Sequence, residues 1–296
     1  MRVAILGCGY VGLALGQALA DEHDVVGVRR SESGLSAIRQ AGLKPVRADI
    51  SEPSTLNAVP DADAVVFAAS SGGGDAEAAR RIYVRGQRQA IDHFAARDEP
   101  PERYLYTSST GVYGDHNGDW VDETTPLSPT TEKTTVLAEA ESVAIDTARS
   151  TDMTPVVARL AGVYGPNRYR LERYLEGPVT AGYRNLIHRA DAAGAAAFLL
   201  GLPEPPETVL VVDNEPVDRW TFADWLADEC DLPPPEKVTI DDRLEEEDLP
   251  ERTRRRLEAD KRCSNELLRS LGYEFTYPTY REGYRQAIAE YRDRES

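Results

Sequence analysis

The start of the chain places the tightest constraint on what it can fold into. Residues 2–6 (RVAIL) have the composition of a buried strand and run into a glycine-rich turn, followed by a helical stretch at 13–20. In that setting Gly7 would allow a tight turn, Gly9 would let a pyrophosphate approach the backbone, and Gly12 would let the helix pack on the strand. The positive end of the helix would then receive phosphates. The pattern predicts a dinucleotide site formed by Gly7, Gly9, Tyr10, Val11 and Gly12.

Strand-like and helical segments alternate along most of the chain. This alternation predicts an α/β fold, a doubly wound parallel sheet with helices on both faces. We expect strands near 24–28, 45–48, 64–69, 104–107, 155–160, 186–187 and 209–212, and helices at 75–97 and 191–201. We predict a dinucleotide-binding domain at 1–165 with a returning segment at 185–215, and a smaller substrate-side lobe at 166–184 and 216–296.

The end of the second predicted strand indicates which nicotinamide cofactor the site prefers. An acidic residue about 20 positions after the glycines would bind the ribose 2′-hydroxyl of NAD. This chain has Arg29 and Arg30 there, followed by Ser31. Because a guanidinium can bind a phosphate through two hydrogen bonds, we expect NADP(H) in preference to NAD(H). The alternative is that both arginines are ordinary surface charges at a strand end.

Two residues after the third predicted strand are candidates for the adenine end of the cofactor. Asp49 and Ile50 form an acidic and aliphatic pair of the kind that contacts an adenine ring. The alternative is that Asp49 is a surface residue that caps a helix starting near Ser51.

The charge of the chain bounds its environment and partners. The formal net charge is −17, and only four of the 34 basic residues are Lys. This combination is typical of a protein kept soluble in concentrated salt, and the alternative is an acidic surface without special meaning. An acidic surface argues against nucleic acid and anionic membranes as partners.

The cysteines and the hydropathy of the chain bear on metal binding and on location. The three cysteines are widely spaced and form no metal or disulfide pattern, so we expect no metal. We expect neither a signal peptide nor a membrane span, because the apolar start belongs to the first strand and the best apolar run, 192–202, is short. A cytoplasmic protein follows as an expectation.

Several further motifs, in a fixed order, resemble those of the extended short-chain dehydrogenase/reductases, the NAD-dependent epimerase/dehydratase family. The resemblance covers about residues 1–215 and implies a Rossmann-type fold with a smaller C-terminal lobe. It is carried by the glycine turn, Ala68-Ala69-Ser70, 104–114 (YLYTSSTGVYG), 122–129 (DETTPLSP), 159–166 (RLAGVYGP) and 187–191 (IHRAD). It implies that Ala68, Ala69 and Ser70 contact the cofactor and that Ser109 is the catalytic hydroxyl.

The chain departs from this family at the proton relay. Such enzymes place a catalytic Tyr after the Pro that is here Pro129 and a Lys four residues later, where this chain has Thr130 and Thr134. Lys133 is adjacent, but one residue along a helix turns a side chain by about 100°. No Tyr-x-x-x-Lys occurs anywhere in the sequence. The chain therefore resembles an atypical member, with the cofactor site present and the usual relay absent.

The sequence leaves open which residues would replace the missing Tyr and Lys, and what the protein does. Tyr113, His116 and Tyr164 lie on loops that this fold places where ligands bind, and of these we retain Tyr113 as a second catalytic candidate beside Ser109. His188 is expected to orient a loop. We predict an NAD(P)-binding oxidoreductase acting on a small molecule. The alternatives are a non-catalytic NADP(H)-binding sensor or regulatory protein and a nucleotide-sugar epimerase or dehydratase. The resemblance also implies a homodimer that pairs through helices such as 75–97 and 131–149.

Overall fold

The fold is given by a computed structural model that describes residues 1–72, 74–245, 253–254, 257 and 259–295. The strands are β1 (Arg2–Leu6), β2 (Asp24–Arg29), β3 (Lys44–Arg47), β4 (Ala64–Phe67), β5 (Arg103–Ser109), β6 (Trp120–Val121), β7 (Thr154–Leu160), β8 (Gly162–Tyr164), β9 (Val179–Thr180), β10 (Tyr183–Arg184), β11 (Leu186–His188), β12 (Thr208–Val211), β13 (Val217–Asp218), β14 (Lys237–Val238) and β15 (Arg262–Cys263).

Helices connect these strands. The α-helices are α1 (Tyr10–Leu19), α2 (Glu32–Gln40), α3 (Ala76–Arg80), α4 (Gln87–Ala95), α5 (Glu132–Ser150), α6 (Leu171–Glu176), α7 (Arg189–Gly201), α8 (Arg219–Glu229), α9 (Ile240–Leu244), α10 (Glu266–Ser270) and α11 (Tyr280–Glu295). Short 3-10 helices span Pro53–Ala58 and Thr110–Tyr113. None of the described helices combines the length and the apolar composition needed to cross a bilayer.

The central element is a seven-stranded sheet in the order β12-β7-β5-β4-β1-β2-β3. The pairings from β3 through β2, β1, β4 and β5 to β7 are all parallel. The α/β, doubly wound class predicted from the sequence is therefore confirmed. The strand order reverses between β1 and β4, and ligands of such sheets bind beyond the carboxyl ends of the strands at this reversal.

The chain divides into two compact units. The first unit comprises Met1–Val112, Glu132–Leu160 and Ala192–Val209, and the second comprises Tyr113–Thr131, Ala161–Asp191 and Leu210–Ser296. The domain boundaries given above stay a prediction. Within the predicted lobe, residues 246–252, 255–256, 258 and 296 lie outside the described residues.

Burial explains why the sheet strands could be recognised in the sequence. All four residues of β4 and four of the five in β1 are buried, as expected for parallel strands covered by helices on both faces. The expected strands lie within one or two residues of those observed. The second unit instead has an aromatic core, in which the Tyr164 and Tyr284 rings stack 4.9 Å apart and Phe222 packs beside Tyr284.

The helix predicted as one element over 75–97 is interrupted. A π-helical turn, Arg81–Gly86, separates α3 from α4. The turn brings Gly86 so close to Ile50 that a Cβ at position 86 would lie 2.9 Å from Ile50 Cγ2. It also places the Tyr83 hydroxyl 3.1 Å from Ser71 N, whose N–H donates to it. Such local adjustments are common near functional sites, and helical periodicity alone does not reveal them.

Candidate functional site

The glycine loop lies at the carboxyl end of β1. Gly7 has φ of +80°, and a Cβ there would overlap the Cα of Ala69 and lie 2.5 Å from Ala69 N. α1 begins directly after the loop, with Gly9 at its N-cap. Among the described residues no side chain caps α1, and no acidic residue occupies its first turn. The first turn of α1 therefore contributes no carboxylate that would neutralise the positive end of the helix dipole. That end can bind an anion such as a phosphate.

Two further segments pack against this loop as the sequence predicts. A Cβ at Gly12 would lie 3.0 Å from Ile5 Cγ2, so the missing side chain is what lets α1 approach β1. The segment Ala68–Ser70 follows β4, and Ala68 N donates to Leu6 O over 2.9 Å. The predicted cofactor residues of β1 and β4 thus lie together at one edge of the sheet.

The arginines at the ends of β2 and β3 have different surroundings. Arg30 Nη1 lies 3.5 Å from Asp49 Oδ2. Arg47 pairs with Glu32, and its Nη1 donates to Arg30 O over 3.4 Å. The Arg29 guanidinium makes no ion pair or hydrogen bond with any described residue. Of the two arginines predicted to bind a 2′-phosphate, only Arg30 is therefore already held by a carboxylate.

Asp49 is held in place by its own turn. Its Oδ1 accepts hydrogen bonds from Ser51 N and Ser51 Oγ, at 3.0 and 2.7 Å. Partial burial raises the pKa of Asp49, but the Ser51 hydrogen bonds and the Arg30 charge outweigh it, so the pKa lies below the usual value. Ile50, next along the chain, is buried against Gly86. A contact of this pair with adenine stays a prediction.

Ser109 ends β5, and a buried cluster fixes the strand beneath it. Ser109 Oγ accepts a hydrogen bond from Gly111 N over 3.1 Å. The neighbouring Ser108 donates to Glu141 Oε1 over 2.5 Å. Arg159 approaches the same carboxylate with Nε at 3.1 Å and Nη2 at 2.8 Å. Glu141 and Arg159 are both buried.

Tyr113, the second catalytic candidate, belongs to the other unit and is fully buried. Its hydroxyl donates to Asp122 O over 2.7 Å, and the ring of His116 packs edge-on against it. His116 Nε2 lies 3.1 Å from Tyr113 O. These contacts describe a packed turn, and a catalytic role for Tyr113 stays a prediction.

The positions of the missing relay are also resolved. α5 begins at Glu132, so Thr130 precedes the helix and Thr134 lies in its first turn. A Cβ at Gly111 would lie 3.5 Å from the Thr134 methyl group, which shows that this methyl faces the segment after Ser109. A Thr hydroxyl cannot replace a phenol as an acid near neutral pH.

The second unit contains a cavity of about 180 Å³ rich in arginine. Arg219 is largely buried and donates to Ala181 O over 2.9 Å; burial lowers the pKa of Arg219. The Arg184 guanidinium lies 4.4 Å from the Tyr174 ring centre. No carboxylate is among the described lining residues, which are Arg173, Tyr174, Pro178, Val179, Thr180, Arg184, Asn185, Arg219, Arg243, Thr253 and Leu257.

The second unit also contains a buried carboxyl group, that of Asp213. Asp213 is almost fully buried; its Oδ1 accepts from Glu215 N over 3.2 Å, while its Oδ2 has no partner among the described residues. Burial raises the pKa of Asp213 well above its usual value, and the charges of Glu215 and Asp191 add to the effect against that of Arg184.

His188 and Tyr164 lie in the same interior. His188 Nδ1 accepts from Ala190 N over 3.2 Å, which agrees with the predicted loop-orienting role. Burial lowers the pKa of His188 to about 4 and raises the pKa of Tyr164. Neither group would exchange a proton readily near neutral pH.

We expect Asp213→Asn to stabilise the protein by about 1–3 kcal/mol at pH 7, because burial disfavours the charged form that this carboxyl takes freely in the unfolded chain. The pKa is raised in the folded state, so the wild-type penalty is absent below the unfolded value of 3.8 and grows as pH rises. Urea denaturation at pH 3 and pH 7 checks this. The gain should vanish at pH 3, and Asp228→Asn, an exposed control, should show no gain. A variant less stable than wild type at pH 7 would contradict the expectation.

Several functional candidates were not apparent in the sequence. Glu141 and Arg159 meet only through the fold, and Arg47 reaches the end of β2 from the neighbouring strand. The four cavity arginines are separated by up to 70 positions between Arg173 and Arg243. No local spacing rule connects such residues.

Comparison with known proteins agrees with this architecture. The family described as NAD dependent epimerase/dehydratase matches residues 3–205. Protein YeeZ of Escherichia coli K12 is 34% identical over 216 residues, which cover 69% of this chain and 74% of YeeZ. A conserved protein of unknown function from Silicibacter pomeroyi is 30% identical with a TM-score of 0.77, covering 98% of both chains.

A more distant structure shares the fold alone. UDP-glucuronic acid 4-epimerase from Bacillus cereus, solved with UDP-glucuronic acid and NAD, has a TM-score of 0.76 at 16% identity, covering 100% of both chains. With the glycine loop, the sheet order and the family match in agreement, the chain belongs to the NAD dependent epimerase/dehydratase family.

Proposed function

We propose that the protein is an NADP(H)-dependent oxidoreductase of an atypical kind, acting on a small carbonyl compound. The observation that carries the cofactor half is the Arg29 guanidinium, which lies beside the glycine loop without a carboxylate partner among the described residues. A phosphate dianion on the cofactor ribose would supply that partner. The UDP-glucuronic acid 4-epimerase neighbour was solved with NAD, which supports a nicotinamide nucleotide in this fold.

We propose separately that the arginine cavity of the second unit binds a small anion. Four arginines line it in a protein whose formal net charge is −17, namely Arg173, Arg184, Arg219 and Arg243. The charges of Asp260 and Asp218 act on Arg219. Pockets that enclose whole drug-sized ligands measure roughly 300–1,000 Å³, so this cavity suits a small anion rather than a whole nucleotide sugar. Arg173, which is exposed and lines the cavity, would meet an incoming anion first.

Few side chains of the protein would take part in the reduction of the carbonyl group. Bound NADPH would supply the hydride for a carbonyl carbon. Ser109, at the end of β5, would donate a hydrogen bond to the carbonyl oxygen, and water would deliver the proton that completes the alcohol. Because the Tyr and Lys of the usual relay are replaced by Thr130 and Thr134, we expect turnover about 10²–10⁴-fold below that of an enzyme with a positioned acid.

The direct test is NADPH oxidation with a panel of small carbonyl compounds. We expect carbonyl compounds to be reduced and Ser109→Ala to lower kcat. In a separate titration of inorganic phosphate by calorimetry, we expect Arg173→Gln to weaken binding. Arg88→Gln, an exposed charge-matched control on α4, should change neither. Robust epimerisation of sugar nucleotides by the parent protein would overturn the oxidoreductase proposal. Equal phosphate affinity of the parent and Arg173→Gln would overturn the anion site.

A second candidate function is a non-catalytic NADP(H)-binding sensor or regulatory protein. Thr130, which precedes α5, and Thr134 favour it because no side chain at either position can relay a proton at neutral pH. NADPH binding without oxidation across the whole panel would select this alternative.

We also propose adaptation to concentrated salt, a cytoplasmic location and a homodimer. The charge of −17 predicts a melting temperature that rises between dilute buffer and molar KCl, because the Debye length falls to about 3 Å at 1 M. A melting temperature that is flat or falls over this range would contradict the salt proposal.

A further inference from the structure

The side chain of Arg29 runs between two glycines. A Cβ at Gly9 would lie 2.7 Å from Arg29 Nη1. A Cβ at Gly34, in the first turn of α2, would lie 2.9 Å from Arg29 Nε and 3.1 Å from Arg29 Cγ. The distances of 2.7 and 2.9 Å are shorter than real side chains tolerate. The observed path of Arg29 therefore requires that neither position carry a side chain.

The two glycines differ in what else they do. Gly9 belongs to the loop that would approach the pyrophosphate, so a change there would disturb any dinucleotide. Gly34 belongs to α2 and is buried beneath the Arg29 stem. Its N–H donates to the Ser31 cap over 3.2 Å, a bond that an added methyl group does not remove.

The neighbouring arginines cannot easily take over the position of Arg29. Arg30 is more than two-thirds exposed and faces Asp49, while Arg47 is engaged by Glu32. Arg29 is also the closest of the three to the loop, since its Nη1 is the first atom that a Cβ at Gly9 would meet.

We propose that Gly34 is a positioning residue that sets the cofactor preference. By leaving room for the stem of Arg29, it holds the guanidinium beside the glycine loop, where the 2′-phosphate of NADP(H) would be bound. This rests on the proposed NADP(H) specificity. Gly34 itself would touch no part of the cofactor, so its effect passes through Arg29.

A substitution at Gly34 should change the preference for NADPH over NADH without lowering the stability of the protein. Alanine is a better helix former than glycine by about 1 kcal/mol, so Gly34→Ala should leave α2 at least as stable. The new methyl group would instead displace the stem of Arg29, whose Nε, Cβ and Cγ would lie 2.9, 3.0 and 3.1 Å from it. A purely structural role of Gly34 would appear as a lower melting temperature and as equal losses for both nucleotides.

The experiment measures dissociation constants for NADPH and NADH by calorimetry, with melting temperatures, for the parent, Gly34→Ala, Arg29→Ala and the double variant. We expect Gly34→Ala to weaken NADPH about tenfold or more while NADH changes less than about twofold. The double variant should lose no more NADPH affinity than Arg29→Ala alone, because both changes remove one interaction. Ser36→Ala, elsewhere on α2, is the control and should behave as the parent.

The outcomes separate the two proposals. If Arg29→Ala weakens NADPH but Gly34→Ala does not, or if the two losses add in the double variant, the role of Gly34 is wrong and NADP(H) specificity stands. If the parent binds NADH as tightly as NADPH, or binds neither, the proposed cofactor is wrong and the role of Gly34 falls with it.

Discussion

Replacing Gly7 with Ala is expected to lower the free energy of unfolding by roughly 2–5 kcal/mol and to abolish dinucleotide binding. Two effects combine. The φ of +80° is strained for any residue with a side chain, and the new Cβ would overlap the backbone of Ala69. Because that overlap is with backbone atoms, no side-chain rotation can relieve it, and the loops after β1 and β4 would have to separate.

Gly42 provides a matched control for the strain that a positive φ imposes on a residue with a side chain. It has φ of +78°, and a Cβ there would meet nothing within 4 Å. Gly42→Ala should therefore cost only the strain of a left-handed conformation, about 1–2 kcal/mol. Urea denaturation of both variants, with NADPH titrations of each, makes the comparison. Equal stability of the two variants, or NADPH binding by Gly7→Ala at the parent's affinity, would contradict the assigned role of the loop.

Replacing Glu141 with Gln is expected to cost about 3–5 kcal/mol of stability. The carboxylate is buried, binds Arg159 through two guanidinium nitrogens and accepts from the Ser108 hydroxyl. The substitution leaves Arg159 as a buried charge without its counter-ion. Because Ser108 precedes Ser109, we also expect the end of β5 to lose order.

The same helix offers the control. Glu139 pairs with Arg80 at the surface, where both side chains are more than one-third exposed, so Glu139→Gln should cost less than about 1 kcal/mol. The double variant Glu141→Leu/Arg159→Met should recover much of the loss, because a packed apolar pair leaves no unpaired charge. Urea denaturation checks all three. A Glu141→Gln variant as stable as Glu139→Gln would show that the buried pair does not support the strand.

The glycine loop and the Glu141–Arg159 pair show what can and cannot be predicted from the sequence. The role of Gly7 follows from three glycines between a strand and a helix, all within a few residues, so local rules are sufficient. The Glu141–Arg159 pair joins a helix to a later strand and is created by packing. The arginine cavity is harder still, because its members come from separate segments of the second unit.

For Arg29 and Arg30, the sequence predicts the position but not the surroundings. The sequence predicts that Arg29 and Arg30 lie at the end of β2, and they do. It does not predict that Asp49 approaches Arg30, nor that Gly34 leaves space for Arg29, because both partners come from other elements. Helix periodicity likewise missed the π-helical turn after α3, which depends on close packing against Ile50.

The central claim, an NADP(H) site built on the glycine loop and Arg29, is tested most directly by titrating the parent protein with NADPH and with NADH at moderate salt. A charge-assisted hydrogen bond contributes about 1.5–3 kcal/mol, so NADPH should bind roughly 10–150-fold more tightly. Arg29→Ala/Arg30→Ala should erase the difference and leave NADH affinity nearly unchanged. Equal or tighter binding of NADH by the parent would contradict the account.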